Sequence, residues 1–111
     1  MIAIELQSIT QEIHQAAQRL SKGADALFML AKAMAEAEQA YRSSLAKEIV
    51  KLKLEGMSVT LIPDIARGNT SELKFSRDLA EAKYTSGRDS LKAIMAQVNA
   101  LQTIVKYVSE V

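Results

Sequence analysis

The chain has 111 residues, one domain's worth, and 49% of them are apolar, 17 being alanine, while aromatic residues make up only 5%. Fourteen Lys plus Arg against 13 Asp plus Glu leave a formal net charge of +1, which argues against a strongly basic nucleic-acid cloak and against an acidic nucleic-acid mimic. One Pro and four Gly are too few for the turns of a small all-β sandwich or barrel, and the lack of Cys excludes disulfides, thiolate metal sites and Cys nucleophiles.

The N-terminal Met1-Ile2-Ala3-Ile4-Glu5-Leu6 shows neither a basic segment nor a long apolar run, so no signal peptide is expected. No stretch approaches the ~18 uncharged apolar residues of a membrane span. A cytoplasmic location is the expectation.

Ile2, Leu6, Ile9, Ile13, Ala16 and Leu20 step by four and three, which draws one apolar stripe along a helix. The stripe continues through Gly23, Leu27, Leu30, Met34, Ala37 and Tyr41. Leu45, Ile49 and Leu52 extend it, rotated by about one position. Two readings stand: one helix from about Ile2 to Glu55, the preferred one, or two collinear helices meeting at Gly23. Glycine inside a helix costs only about 1 kcal/mol relative to alanine.

Gly56 suits a helix C-terminus because it accepts positive φ. The connection then spans residues 56–69. Ser58 is a candidate cap for a short helical turn, and Pro63 is tolerated in such a first turn. Leu61, Ile62 and Ile65 are too apolar for a free loop and are expected to fold back as a cap over a hairpin tip. A second long helix is expected over about 70–109, opened by Asn69 and Glu72 as a variant capping box. Its stripe, Ala80, Tyr84, Gly87, Leu91, Ile94, Val98, Leu101, Val105 and Val108, has the 3.5-residue period of a coiled coil.

The expected fold is therefore all-α and a single domain over residues 1–111: a long antiparallel, coiled-coil-like helical hairpin with a short capping turn at its tip. The first helix reads longer than the second, so Ile2, Leu6, Ile9 and Ile13 would lack an intrachain partner and lie exposed in a monomer. Exposed stripes mark interfaces, and a homo-oligomeric helical bundle is expected. The candidate hairpin or oligomer interface comprises Ile2, Leu6, Ile9, Ile13, Leu20, Leu27, Met34, Tyr41, Tyr84, Leu91, Ile94, Val98, Leu101 and Val105.

Chemistry is sparse. His14 is the only histidine, and one His cannot make a zinc site of three or four ligands. The carboxylates lack an enclosed site that would raise a pKa for acid–base work. Glu38, the carboxylate nearest the stripe, has Arg42 at i+4 to neutralise it. Arg67-Gly68-Asn69-Thr70 precedes a helix start, where backbone N–H groups could hold an anion, but it is no P-loop. Neither an enzyme nor a cofactor is expected. Arg42, Lys47, Lys51, Lys53, Arg67, Lys74 and Arg77 converge on the tip of a hairpin and are the candidate contacts to phosphate, as DNA or as a nucleotide. The plainer reading of this group is lysines complementing a helix C-terminus. Tyr41, Tyr84 and Tyr107 fall on or near the stripes, which suits core packing better than base stacking.

Glu38-Gln39-Ala40-Tyr41-Arg42, Leu45, Lys51-Leu52, Glu55-Gly56-Met57, Leu61-Ile62-Pro63-Asp64-Ile65-Ala66-Arg67-Gly68 and Arg77-Asp78-Leu79-Ala80-Glu81-Ala82-Lys83-Tyr84 resemble a group of small helical proteins. That group is encoded by phages and prophages of Gram-positive bacteria, among early recombination and replication genes. The resemblance covers about Glu38 to Val105, and the Ile-Pro-Asp turn is its most specific part. It implies Tyr41 packing with Tyr84 across the hairpin and an apolar turn locking the tip, but it carries over no catalytic or binding residue. The function expected is a non-catalytic, oligomeric accessory protein of phage DNA replication or recombination. The alternative is a counter-defence protein that sequesters a nucleotide signal or blocks a host defence protein. Possible partners are DNA, a nucleotide, or a phage or host protein, and no membrane.

Overall fold

A computed structural model describes residues 2–110, with the side chain of Ile2 outside that description. The chain is all-α over these residues. Helix α1 spans Ile2–Leu54, α2 spans Ile62–Asn69 and α3 spans Ser71–Ser109. Helix α1 runs through Gly23 without a break.

Packing divides the chain into two compact units, each built from both long helices: Met1–Phe28 with Thr85–Val111, and Met29–Tyr84. In the first unit the stripe is the packed face. Leu6, Ile9, Ile13, Leu20 and Leu27 of α1 are half-buried, as are Leu91, Ile94, Val98, Val105 and Val108 of α3, while Ala16 and Leu101 are buried. This corrects the expectation that Leu6, Ile9 and Ile13 lack an intrachain partner; the same expectation for the Ile2 side chain lies outside the described residues. The physical reason is that α3 runs to Ser109, so its second half packs against the start of α1 within one compact unit.

The second unit holds the tip. Helix α1 ends because Gly56 adopts φ +82, which ordinary side chains resist. The Gly56 N–H donates to the Lys53 carbonyl at 3.1 Å and the Met57 N–H to the Leu52 carbonyl at 3.1 Å. This pair of bonds is a Schellman closure. Met57 then packs with Leu45, Ile49 and Ile65 around a small core of Leu52, Ile62 and Ala66.

Three expectations for the tip are corrected. Ser58 does not cap α2 with its side chain: the Leu61 and Ile62 N–H groups donate to its carbonyl, and its hydroxyl pairs with that of Thr60. Leu61, the residue before α2, stays more than half exposed, because the inward face of that helix is made by Ile62, Ile65 and Ala66. Asn69 does not open a capping box. It is the last residue of α2, and its Nδ2 donates to Glu48 Oε1 at 2.8 Å. The junction between α2 and α3 is Thr70 alone, buried, with its hydroxyl donating to the Ala66 carbonyl at 2.8 Å and its N–H to the same oxygen at 3.1 Å.

Candidate functional site

In the second unit Glu38 of α1 meets Arg77 of α3, and Met34, one turn back on α1, shares a groove with Glu81, one turn on along α3. The two helices are thus antiparallel there. The same register puts Leu30 and Ala33 beside Ser76, Leu79, Ala80 and Lys83. The unit therefore has two unlike flanks.

One flank is ionic. Arg77 Nη2 lies 3.0 Å from Asp78 Oδ1, and its Nε lies 3.4 Å from Glu38 Oε2. Its guanidinium carbon sits 4.7 Å from the centroid of the Tyr41 ring, a cation–π geometry. Arg42 Nε donates to the other oxygen of Glu38, and Lys74 Nζ lies 3.5 Å from Asp78 Oδ2. Five side chains form one chain of alternating charge, Arg42–Glu38–Arg77–Asp78–Lys74, and Glu38–Arg77 is the link that crosses between helices. Hydrogen bonding from Arg42, reinforced by the charge of Arg77, holds the Glu38 carboxyl below its ordinary pKa. The Arg77 hydrogen bond and nearby Lys74 do the same for Asp78. Both groups are therefore carboxylates at neutral pH, the opposite of what a general acid needs.

The seven basic candidates divide on this geometry. Arg77 is tucked against Tyr41 and engaged by two carboxylates. Arg42 and Lys74 belong to the same network, and Arg67 lies 3.6 Å from Asp64. Lys47, Lys51 and Lys53 are exposed and form no ion pair among the described residues. The segment Arg67–Thr70 does not offer a free helix start, since Arg67, Gly68 and Asn69 are helical and the Thr70 N–H is bonded. Tyr41 takes Arg77 as its partner, and the half-buried Tyr84 lies two turns further along α3. His14 is exposed on α1, and no group of three or more His, Cys, Asp or Glu suited to a metal ion occurs among the described residues.

Periodicity held a signal for the inward place of Arg77. The stripe that starts at Ala80 can be stepped back by three and four to Arg77, Leu73, Thr70 and Ala66, each of which is buried or half-buried. A charged residue on that phase has to find partners across the hairpin.

The other flank is apolar. Leu79 is 43% exposed and Phe75, one turn before it, 68%. Ala33 of α1 shares a groove with Leu79, and Met29, one turn before Ala33, is 59% exposed. No carboxylate lines the groove between Leu30, Ala33 and Leu79.

Compared with family models, curated proteins and solved structures, the chain matches none.

Proposed function

We propose that this chain is a non-catalytic helical binding module that works as a homo-oligomer, an accessory to phage DNA replication or recombination. Its unburied surface carries the oligomeric part of this reading. The chain exposes 8186 Å², whereas a compact monomer of 12.2 kDa exposes roughly 6,000 Å². Among the described residues the fully packed apolar ones are Ala16, Tyr41, Leu52, Ile62, Ala66 and Leu101, and no large side chain is completely enclosed. A chain with so thin a core gains stability when a second surface covers it.

The phage setting rests on the resemblance of Glu38–Val105. The DNA part is supported by Lys47, Lys51 and Lys53, three exposed cations at the end of α1 with no carboxylate partner among the described residues. Phosphate contacts by such residues should be strongly salt-dependent. The counter-defence alternative is best supported as capture of a host protein. The polar groove of the second unit sets Glu38 and Glu81 against Arg77 alone, a poor setting for a nucleotide phosphate.

The test is fluorescence anisotropy of labelled single- and double-stranded DNA titrated with the protein at about 50 and 200 mM salt. Saturable binding that falls steeply with salt, and that is lost in Lys47→Ala/Lys51→Ala/Lys53→Ala, supports DNA as the target. Absence of binding at low salt rejects DNA and leaves protein capture.

A further inference from the structure

Deepening the self-association reading, we propose that a second copy of this chain covers the apolar flank of the unit Met29–Tyr84, packing its own α3 antiparallel across Phe75 and Leu79. The two-fold axis then passes between these two residues.

The area argument comes first. The surplus exposed surface is roughly 2,000 Å² per chain, and a stable interface buries about 1,200–2,000 Å² in total. Covering the flank therefore needs only part of what the chain leaves exposed. Within this unit Phe75 and Leu79 make an exposed apolar face of α3, and the small Ala33 in the groove beside Leu79 lets another helix approach closely.

Charge fixes the occupant as a second copy. Glu72, Phe75, Leu79 and Lys83 share one face of α3, since steps of three and four keep side chains on one side. Glu72 and Lys83 bracket the apolar pair, eleven residues or about 16 Å apart along the helix. Both are exposed, and neither forms an ion pair among the described residues. A face reading acid, apolar, apolar, base is complementary to itself when reversed. Two-fold pairing sets Phe75 on the partner's Leu79, Leu79 on the partner's Phe75, Glu72 on the partner's Lys83 and Lys83 on the partner's Glu72. A parallel pairing would instead stack like charges at both ends. An isologous contact of this kind closes at two copies.

The experiment is sedimentation equilibrium of the full chain and its variants, with circular dichroism to confirm unchanged helix content. These side chains are exposed, so the variants should fold. Wild type should self-associate. Glu72→Lys and Lys83→Glu should each weaken the association about tenfold or more, because each places like charges at both ends of the contact. The double variant Glu72→Lys/Lys83→Glu should return it to near the wild-type value, and Leu79→Glu should abolish it. Self-association that survives Leu79→Glu, or single charge reversals that the double variant does not rescue, would overturn this surface and register while leaving the oligomer standing. A wild-type chain that stays monomeric at high concentration would overturn both.

Discussion

Leu91 fills the space left by the missing side chain of Gly23: a Cβ at Gly23 would come within 2.3 Å of Leu91 Cδ2. Glycine in the middle of α1 is thus neither a hinge nor a break. It is a notch cut for a leucine of α3. Gly23→Ala should gain about 1 kcal/mol of helix propensity and lose it again by displacing Leu91, for a net change near zero or destabilising. In a Leu91→Ala background the same substitution should stabilise by about 1 kcal/mol. Urea unfolding of the four chains gives the comparison. Equal effects of Gly23→Ala in both backgrounds would mean that the two positions are not coupled.

Arg77 ties the helices through charge and through its flat guanidinium on Tyr41. Arg77→Ala should lower the melting temperature, and Arg77→Lys should restore little of it, because an ammonium cannot serve two carboxylates and a ring in one plane. Adding Glu38→Ala to Arg77→Ala should cost less than Glu38→Ala alone. Thermal melts followed by circular dichroism check both points, and full rescue by lysine would show that charge alone matters.

The same network sets an acid limb. Glu38 and Asp78 have folded pKa values below their unfolded ones. Each therefore contributes stability that is present above the ordinary carboxylate range and lost as pH falls through the folded value. Melting temperature should be flat near neutrality and fall below about pH 4. Glu38→Gln/Asp78→Asn should start lower at neutral pH and show a shallower fall. An acid limb as steep as wild type would assign the loss to other carboxylates.

The tip should be sensitive to size. Ala66 has no exposed surface, so Ala66→Leu should overpack the Leu52–Ile62 core and cost about 1–3 kcal/mol. Thr70→Val removes one of two hydrogen bonds to the Ala66 carbonyl and should cost about 0.5–1 kcal/mol. Gly56→Ala forces a side chain into the φ +82 backbone, at about 1–2 kcal/mol. Chemical denaturation ranks the three; an Ala66→Leu chain as stable as wild type would show that the tip core yields to extra volume.

Much of the fold was legible in the spacing of apolar residues. From Leu6 to Tyr41, and again from Ala80 to Val108, each residue on the stripe is buried or half-buried. A regular 3.5-residue period admits few other arrangements, because an off-phase partner would expose the whole stripe. Gly56 was legible as well, since a glycine after a long periodic run has one conformational use. The tip was harder to read. Asn69 and Glu72 satisfy the letter of a capping box, yet α2 extends through Asn69 and Glu48 claims its side chain. The basic group was harder still: the partners of Arg42, Arg67 and Lys74 lie three or four residues away, but the link from Arg77 to Glu38 crosses between helices and sequence distance does not reveal it.

By itself the sequence determined two long helices, their apolar faces and the glycine that ends the first. Those features depend on neighbours three and four residues away, and local periodicity encodes them fully. Only the tertiary structure decided that Gly23 receives Leu91, that Arg77 turns inward onto Tyr41 and Glu38, and that the second half of α3 gives the start of α1 its intrachain partner. These relations join residues tens of positions apart, and their geometry follows from the register of one helix against the other, which apolar spacing alone leaves open.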